Sequence, residues 1–600
     1  MLDFRLLILS RTRLVRTSLL TIGSMLSIAA SITSSAQTTV APDGTVRGDL
    51  ASRVDSHLTR AERFGFAGVV IVAKNGEVVL HKGYGLANRE TGERVTGSTV
   101  FDIGSITKPF TAAAILKLED EGRLHVTDPI DRYFGNVPAD KKAITIHHLL
   151  SHTAGLQDGF GGDYDLISRD SLARVMLSSK LQSAPGSKYE YSNAGYSLLG
   201  AIIERVSGQP YEQYLRDHVI RPAGLTSTGY RSVDWNGKSL AVGYRGSSRF
   251  GTPLDKQWLD DGPSWHLRAN GGLLSTAADL YRFVSGLHNG RIVSAASYNK
   301  AITPPAGFSY GYGWGVSKTP DGKTQISHNG SNGYFYALAA YMPDDRITVI
   351  FMTNDQANRG IERDISDIAM GRKLEEIPAV ASASVSLDDY TGSYRTPSGA
   401  EFEIRKYDQS LEITRAPAEV VASITLSARD SSQALLRHRA DSTIARTVGA
   451  MASGDYAMYR ENFWPYRDYR IDGEIEFWKE VLNDWRDTYG KYLGTQVLGT
   501  ARTSVNDVPL DATYVAVKYE KSDRVLRVLE PVSPVGKFFV ATLSLAQWPS
   551  RFVLAPKSRS EFVTYSIEQR KSAAMTFVLD DAGKVKAVVM PGGLRAEKSR

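Results

Sequence analysis

A serine that opens a helix, with a lysine one turn later, constrains this chain more tightly than anything else in it. The run Phe101-Asp102-Ile103-Gly104-Ser105-Ile106-Thr107-Lys108-Pro109-Phe110 leads straight into the helix-forming stretch Thr111 to Glu119. Three residues apart on a helix, Ser105 and Lys108 share one face. A serine hydroxyl is a weak nucleophile until a neighbouring base takes its proton, and a lysine serves as that base when burial lowers its pKa. Phe101, Ile103, Ile106 and Phe110 supply apolar neighbours for such burial. The helix N-terminus adds backbone N–H groups and partial positive charge, both suited to an oxyanion beside Ser105. Taken alone, the Ser-x-x-Lys spacing equally fits an N-cap serine with a solvated lysine, so the rest of the chain has to decide.

Sheet precedes this helix. Leu50 to Phe64 has helical periodicity, and then Val69-Val70-Ile71-Val72-Ala73 and Val78-Val79-Leu80 flank Asn75-Gly76, the dipeptide a type I′ hairpin turn prefers. Helical signals between Gly/Pro loops dominate residues 120–260. Ile144 to Leu150 runs into His152-Thr153-Ala154-Gly155-Leu156, where Gly155 is expected to end a short helix. His148 and His152 stand four apart, but no glutamate lies between them and no third ligand is evident. They read as packing histidines, and neither a metal nor another cofactor is expected.

Pro185 to Tyr196 reads as a loop entering a helix. Within it Tyr191 and Asn193, two apart in an extended segment, project the same way. Beside a serine and a lysine they supply a phenol that can carry protons and an amide that can hold a substrate carbonyl. Ala269-Asn270-Gly271-Gly272 reads as a structural turn before a helix that Thr276 and Asp279 cap as a reciprocal pair. The run Tyr310-Gly311-Tyr312-Gly313-Trp314-Gly315, the segment leading to Ser327-His328-Asn329-Gly330-Ser331, and Ile347 to Met352 read as strands. Sheet therefore brackets the helical block, an α/β arrangement with a helical insertion.

A chain of 600 residues exceeds what one core organises, so two or three domains are expected. The absence of cysteine excludes disulfides, thiolate metal sites and a cysteine nucleophile. Of the net charge of +6, Arg5, Arg11, Arg13 and Arg16 against Asp3 carry half, and no basic stripe is left to bind nucleic acid. Those arginines belong to residues 1–36, which read as a signal peptide. The apolar run Leu19 to Ala30 follows Arg16, and Ser34-Ser35-Ala36 offers a cut ahead of Gln37. That run is shorter than the roughly 20 residues a membrane-spanning helix needs. No transmembrane segment is expected in the mature chain, which would be periplasmic or secreted; a retained anchor is the alternative.

Ser105-Ile106-Thr107-Lys108, Tyr191-Ser192-Asn193 and His328-Asn329-Gly330 stand in that order, with His152-Thr153-Ala154-Gly155-Leu156 and Gly271-Gly272-Leu273 between them. Together they resemble the serine β-lactamase and penicillin-binding superfamily, in the branch of class C β-lactamases, D-alanyl-D-alanine carboxypeptidases, D-aminopeptidases and related esterases. The resemblance covers residues 47–372. It implies an antiparallel sheet flanked by helices, with a helical subdomain. It also implies Ser105 as the acylated nucleophile, Lys108 as its activating neighbour and Tyr191 as proton carrier. Asn193, His328 and Gly330 would then bind substrate, and the backbone N–H groups of Ser105 and Ser331 would form the oxyanion hole. One departure matters: class C β-lactamases usually carry lysine where this chain has His328, and alanine where it has Ser192. Efficient β-lactam turnover is accordingly not expected.

Past Ile377-Pro378-Ala379-Val380-Ala381-Ser382-Ala383-Ser384, which reads as a linker, residues 385–600 carry no second catalytic constellation. Leu387-Asp388-Asp389-Tyr390-Thr391-Gly392-Ser393-Tyr394 and the strands after it resemble the lipocalin-like β-barrel appended to many such hydrolases. Residues of about 385–435 and 540–600 would form it. Ile444 to Phe463 and Ile475 to Tyr492 read as aromatic-rich amphipathic helices, with strands from Tyr514. They are similar to a SnoaL-like α+β cone inserted into the barrel at about 440–535.

The reading that follows is an exported serine hydrolase acting through an acyl-enzyme, most simply on amide bonds of D-amino-acid-containing peptides, those derived from peptidoglycan among them. An esterase or weak β-lactamase on the same site is the first alternative. A non-catalytic peptidoglycan-binding or sensor protein is the second, and it expects a lost nucleophile, lysine or tyrosine. The partner is a small molecule or peptide substrate, and the sequence carries no signal of oligomeric state.

Overall fold

A computed structural model describes residues 38–599 apart from 375, 381–385, 415, 430–441, 466–469, 506–507, 532–535, 543–550 and 569. The signal-peptide segment and residues 381–384 of the expected linker lie outside the described residues. The hairpin forms as its sequence demands. Strand β1 (Thr45–Val46) and helix α1 (Gly48–Glu62) lead to β2 (Gly68–Lys74) and β3 (Glu77–Tyr84). Asn75 and Gly76 between these two strands have φ of 54° and 82°, both left-handed, as a type I′ turn requires.

The chain returns to the same sheet about two hundred residues further on. Strands β4 (Gly315–Lys318), β5 (Thr324–Ser331), β6 (Tyr336–Met342) and β7 (Ile347–Thr353) complete a seven-stranded sheet in the order β1-β3-β2-β7-β6-β5-β4. Adjacent strands are antiparallel, and β7 joins β2 with Ile350 opposite Ile71. Both faces are covered, which explains the unbroken apolar run in β2. Val69 and Ile71 pack on one side with α2 (Thr107–Asp120) and the 277–288 helix. Val70 and Val72 pack on the other with Val54 and Leu58 of α1 and Ile361, Ile365 and Ile368 of the 361–369 helix.

Between β3 and β4 lies the helical block, with α3 (Ile146–Leu150), α4 (Asn193–Ser207) and α5 (Ala277–His288) among its helices. Three local expectations need correction here. Helix α3 stops at Leu150 rather than near Gly155, because the left-handed residue that turns the chain is His152, at φ 56°. Thr276 does cap α5, but the Asp279 carboxylate turns away to the backbone N–H groups of Thr226 and Ser227. Residues 310–314 form no strand: Gly311 N–H donates to Trp314 O, and Gly313 (φ 77°) passes so close to the Pro109 backbone that only a turn fits.

Helix α6 (Ile361–Ala369) ends the part built on the seven-stranded sheet, and an eight-stranded closed barrel follows. Its strands run from Gly392–Arg395 to Ser410–Thr414 and from Arg551–Pro556 to Arg595–Lys598. The interior is filled by Tyr394, Phe402, Phe562, Met575 and Phe577, so it is a packed core rather than a ligand cup. Where strands were expected up to residue 435, helix α7 (Ala418–Arg429) turns up instead. It is apolar on two sides. Val420, Val421 and Ile424 plug the barrel, while Ala418, Ala422 and Leu426 lie on a second, four-stranded sheet.

That sheet is built from Tyr492–Val505, Val508–Tyr519, Asp523–Pro531 and Phe539–Thr542, so strand begins at Tyr492 and not Tyr514. Helices Ser442–Ala452, Ala457–Asn462 and Ile471–Tyr489 cover its other face through Val448, Tyr459, Trp478 and Leu482. Tyr459 and Trp478 are thus core, whereas Phe477 is exposed. The barrel also joins the core behind the seven-stranded sheet: Ala555, Val563, Tyr565 and Ile567 share one apolar cluster with Phe64, Phe66, Phe351 and Ile365, and Ile377 is buried in it.

Candidate active site

Ser105 sits in a single 3₁₀ turn, Gly104–Ile106, that feeds directly into α2. Backbone and side-chain bonds fix that turn. Gly104 N–H donates to Asp102 Oδ1 (2.7 Å), and Thr107 Oγ1 donates to Gly104 O (2.8 Å). Asn332 Nδ2 holds the other Asp102 oxygen at 2.9 Å. Burial pushes the Asp102 carboxyl up to about 6 against these two donors. The alanine-rich α2 buries nearly every residue, which carries Lys108 into the interior with it.

Lys108 is fully buried, with Nζ 3.0 Å from Ser105 Oγ, 2.6 Å from Asn193 Oδ1 and 2.8 Å from Asn270 O. Burial brings its pKa down to about 7, with Asp158 and Asp163 pulling the other way. As a free amine it has two N–H groups and one lone pair. The two carbonyl oxygens can only accept, so they take the N–H groups and leave the lone pair for the Ser105 hydroxyl. Tyr191 completes the group: its phenol lies beside Ser105, and its ring centroid lies 4.8 Å from Lys108 Nζ. Burial raises the Tyr191 pKa, so the phenol keeps its proton at neutral pH.

Asn193 opens α4 and is held at both ends. Its Oδ1 accepts from Lys108, and its Nδ2 and backbone N–H both donate to Asp158 Oδ1 at 3.0 Å. Gly330 on β5 faces the nucleophile turn. A Cβ there would stand 1.9 Å from Ile103 O and 2.7 Å from Ser105 N, and a Cβ on Gly104 would stand 2.5 Å from Ser331 N. The backbone nitrogens of Ser105 and Ser331 thus line two segments in direct contact.

His328 does not sit as a titrating reader of substrate carboxylates would. It is 6% exposed, with Nδ1 2.6 Å from Asn329 O and Nε2 2.9 Å from Tyr310 Oη. Burial and the nearby Lys108 charge bring its pKa down to about 3, so it is neutral wherever the protein works. His152 is also neutral: burial holds its pKa well below the usual histidine range. Its Nδ1 accepts from Ser192 N–H (3.0 Å), and its ring lies 4.3 Å from that of Tyr191. It therefore fixes the Tyr191 loop rather than a metal, while His148 Nδ1 accepts from Thr145 N–H (3.2 Å).

Comparison with known proteins identifies the family. A family model described as Beta-lactamase matches residues 52–369, more than half of the chain. The chain belongs to the beta-lactamase family. It is 33% identical over 298 residues to a putative penicillin-binding protein, PbpX, of Bacillus subtilis (strain 168), covering 50% of this chain and 73% of that one. It is 26% identical over 439 residues to penicillin-binding protein 4* of the same organism, covering 67% and 95%. Among solved structures, an octameric penicillin-binding protein homologue from Pyrococcus abyssi aligns with a TM-score of 0.47 at 23% identity, over 79% of this chain and 99% of that one.

In this beta-lactamase family member the structure brings Ser105, Lys108, Tyr191, Asn193 and Gly330 together. His328 lies on the same strand as Gly330, with its Nε2 bonded to Tyr310. Sequence reasoning missed three participants. Asn270, assigned to a structural turn, gives Lys108 a carbonyl; Ala269 just before it is forced to φ 70°. Asp158 anchors Asn193, and Tyr310 occupies the His328 ring nitrogen. Nothing in the local pattern of these three marks them, because each contributes through a contact between distant segments.

Proposed function

We propose that this chain is an exported serine hydrolase that forms an acyl-enzyme on Ser105, with amides of D-amino-acid-containing peptides as its first substrate class. The observation that carries the reading is the three-way coordination of Lys108, which leaves a lone pair aimed at Ser105 Oγ. In acylation the Ser105 proton passes to Lys108 while Oγ bonds to the substrate carbonyl carbon and the carbonyl electrons move to oxygen. The N–H groups of Ser105 and Ser331 receive that oxyanion. When the tetrahedral adduct collapses, the scissile bond breaks toward the leaving group, which takes the Tyr191 proton. Lys108 then restores that proton. Water repeats the sequence to free Ser105.

Support for the D-peptide class comes from the penicillin-binding names of the relatives, and support for export from the basic and apolar pattern of residues 1–36. Among the described residues no helix is long and apolar enough to cross a membrane. A second reading, an esterase on the same site, is favoured by the neutral state of His328. Mass mapping after treatment with a fluorophosphonate tests the common core: the adduct should lie on Ser105 and vanish in Ser105→Ala. An adduct on another serine would overturn the assignment.

A further inference from the structure

We propose that Tyr310 locks His328 as a neutral hydrogen-bond acceptor, and that the site consequently takes acyl donors whose leaving group carries no carboxylate. The inference rests on the reading of Ser105 as the acylated residue and narrows its substrate class.

The lock follows from which atoms can donate. The Asn329 carbonyl, 2.6 Å from His328 Nδ1, can only accept, so Nδ1 bears the hydrogen of the neutral ring. Nε2 is then bare and accepts from the Tyr310 hydroxyl at 2.9 Å. Both ring nitrogens are spent inside the protein, and neither offers a donor to the cleft. Protonation of Nε2 would require the Tyr310 hydroxyl to rotate its own hydrogen away, and even then Nε2 would donate to Tyr310 and not to the cleft. Tyr310 has little room to turn away, since its ring is buried against those of His152 (4.7 Å), Tyr189 (5.8 Å) and Tyr191 (6.5 Å).

The surroundings reinforce the neutral state. Lys108, on α2, opposes a positive charge on His328 whenever it is itself protonated; the neutral His152, on the loop after α3, and Tyr310 are further titratable neighbours. On the cleft side the Asp158 carboxylate stands one residue away from Lys108, bonded to Asn193. A leaving-group carboxylate therefore meets a neutral imidazole with no free N–H, a lysine already engaged by two carbonyls, and an acidic neighbour. An ester or amide without that charge loses nothing there.

The test uses the full chain and two matched acetate esters, one of 3-hydroxybenzoate and one of 3-hydroxybenzamide, whose leaving groups are close in size and differ in charge. Wild type should favour the uncharged ester in kcat/KM by about tenfold or more, the scale of one charge-assisted hydrogen bond forgone. That ratio should stay flat between about pH 6 and 8, where a free imidazole would titrate. Tyr310→Phe should make the ratio fall as pH is lowered, and His328→Lys should shrink it at every pH. Because the readout is a ratio, a general loss of activity in either variant cancels. NMR of histidine-labelled protein gives a second measure, with the His328 ring assigned through His328→Gln. The wild-type ring should not titrate in this range and should titrate at higher pH in Tyr310→Phe. If that variant does not fold, the wild-type titration alone decides. A ratio near one, a preference for the charged ester, or a wild-type His328 signal that titrates near pH 6.5 would overturn the proposal. Failure of the fluorophosphonate to label Ser105 would instead remove the acyl-enzyme reading and leave the His328 titration standing.

Discussion

Lys108 Nζ lies 3.0 Å from Ser105 Oγ, and its two other partners are the uncharged carbonyl oxygens of Asn193 and Asn270. Uncharged partners matter because a directly bonded carboxylate would hold the lysine as an ammonium, with no lone pair to offer.

The first prediction concerns pH. With burial bringing Lys108 down to about 7, kcat/KM for a neutral ester should rise through about pH 7 as the amine loses its proton. Lys108→Arg keeps a positive charge but cannot deprotonate, so it should be at least about 10²-fold slower at every pH. An arginine variant with near wild-type activity would show that the charge, not the base, is what counts. The same shift has a stability consequence. Between about 7 and the ordinary lysine value of 10.5 the unfolded chain binds a proton that the native chain does not. The Lys108 contribution to unfolding free energy should therefore rise with pH across that window, and denaturant titrations of wild type against Lys108→Met should diverge accordingly.

A second prediction follows from the contact of Tyr191 with both partners. Lys108→Ala and Tyr191→Phe should each lower kcat by about 10²-fold or more with folding intact, since each removes a proton-transfer group. The double variant should fall well short of the product of the two losses, because the residues act on one proton path. Steady-state kinetics on one ester decides it: losses that multiply fully would mean two independent roles.

How much of this could be read from the sequence depends on how local each feature is. The Asn75-Gly76 hairpin and the Ser105–Lys108 pair were legible because turn and helix geometry fix them within a few residues. The joint order of the three motifs did the same for the family. The state of His328 was not legible: its motif places the residue, and only the fold reveals that a tyrosine eighteen residues earlier occupies a ring nitrogen. Helix α7 was missed for a related reason, since a helix apolar on two sides, toward the barrel and toward the second sheet, lacks the one-sided pattern that betrays most surface helices.

The third prediction uses Gly330. A methyl group there would overlap the Ile103 carbonyl at 1.9 Å, and backbone cannot swing aside as a flexible side chain can. Gly330→Ala should push β5 away from the nucleophile turn, separating Ser331 N from Ser105. Stability should fall by roughly 1–3 kcal/mol, as for other overpacked sites. The loss of kcat should exceed what the unfolded fraction explains. A variant with wild-type kcat and stability would mean that the close approach has no part in the site.

The last prediction concerns the barrel. Tyr565 packs at a tilt against Phe64 with ring centroids 5.7 Å apart, and Ala555, Val563 and Ile567 lie in the same cluster as α1 and α6. Arg551 adds a buried pair, with its guanidinium bonded to Glu412 (2.7 Å) and 4.3 Å from the Tyr407 ring centroid. The cluster covers the face of the seven-stranded sheet that lies opposite the catalytic helix, so the barrel should stabilise the hydrolase without touching its chemistry. A chain ending at residue 380 would expose Phe64, Ile365 and Ile377 together, a loss on the order of 1.5–3 kcal/mol for each large side chain uncovered. That truncation should melt well below the full chain or aggregate, whereas any folded fraction should keep the kcat of the full protein. Tyr565→Ala in the full chain should lower the melting temperature in the same direction, by about 3–5 kcal/mol of stability if the cavity does not close. Thermal denaturation alongside active-site titration separates the two effects. A truncated chain with an unchanged melting temperature would show that the shared cluster contributes nothing, and a stable truncated chain with altered kcat would place the barrel in the catalytic cycle instead.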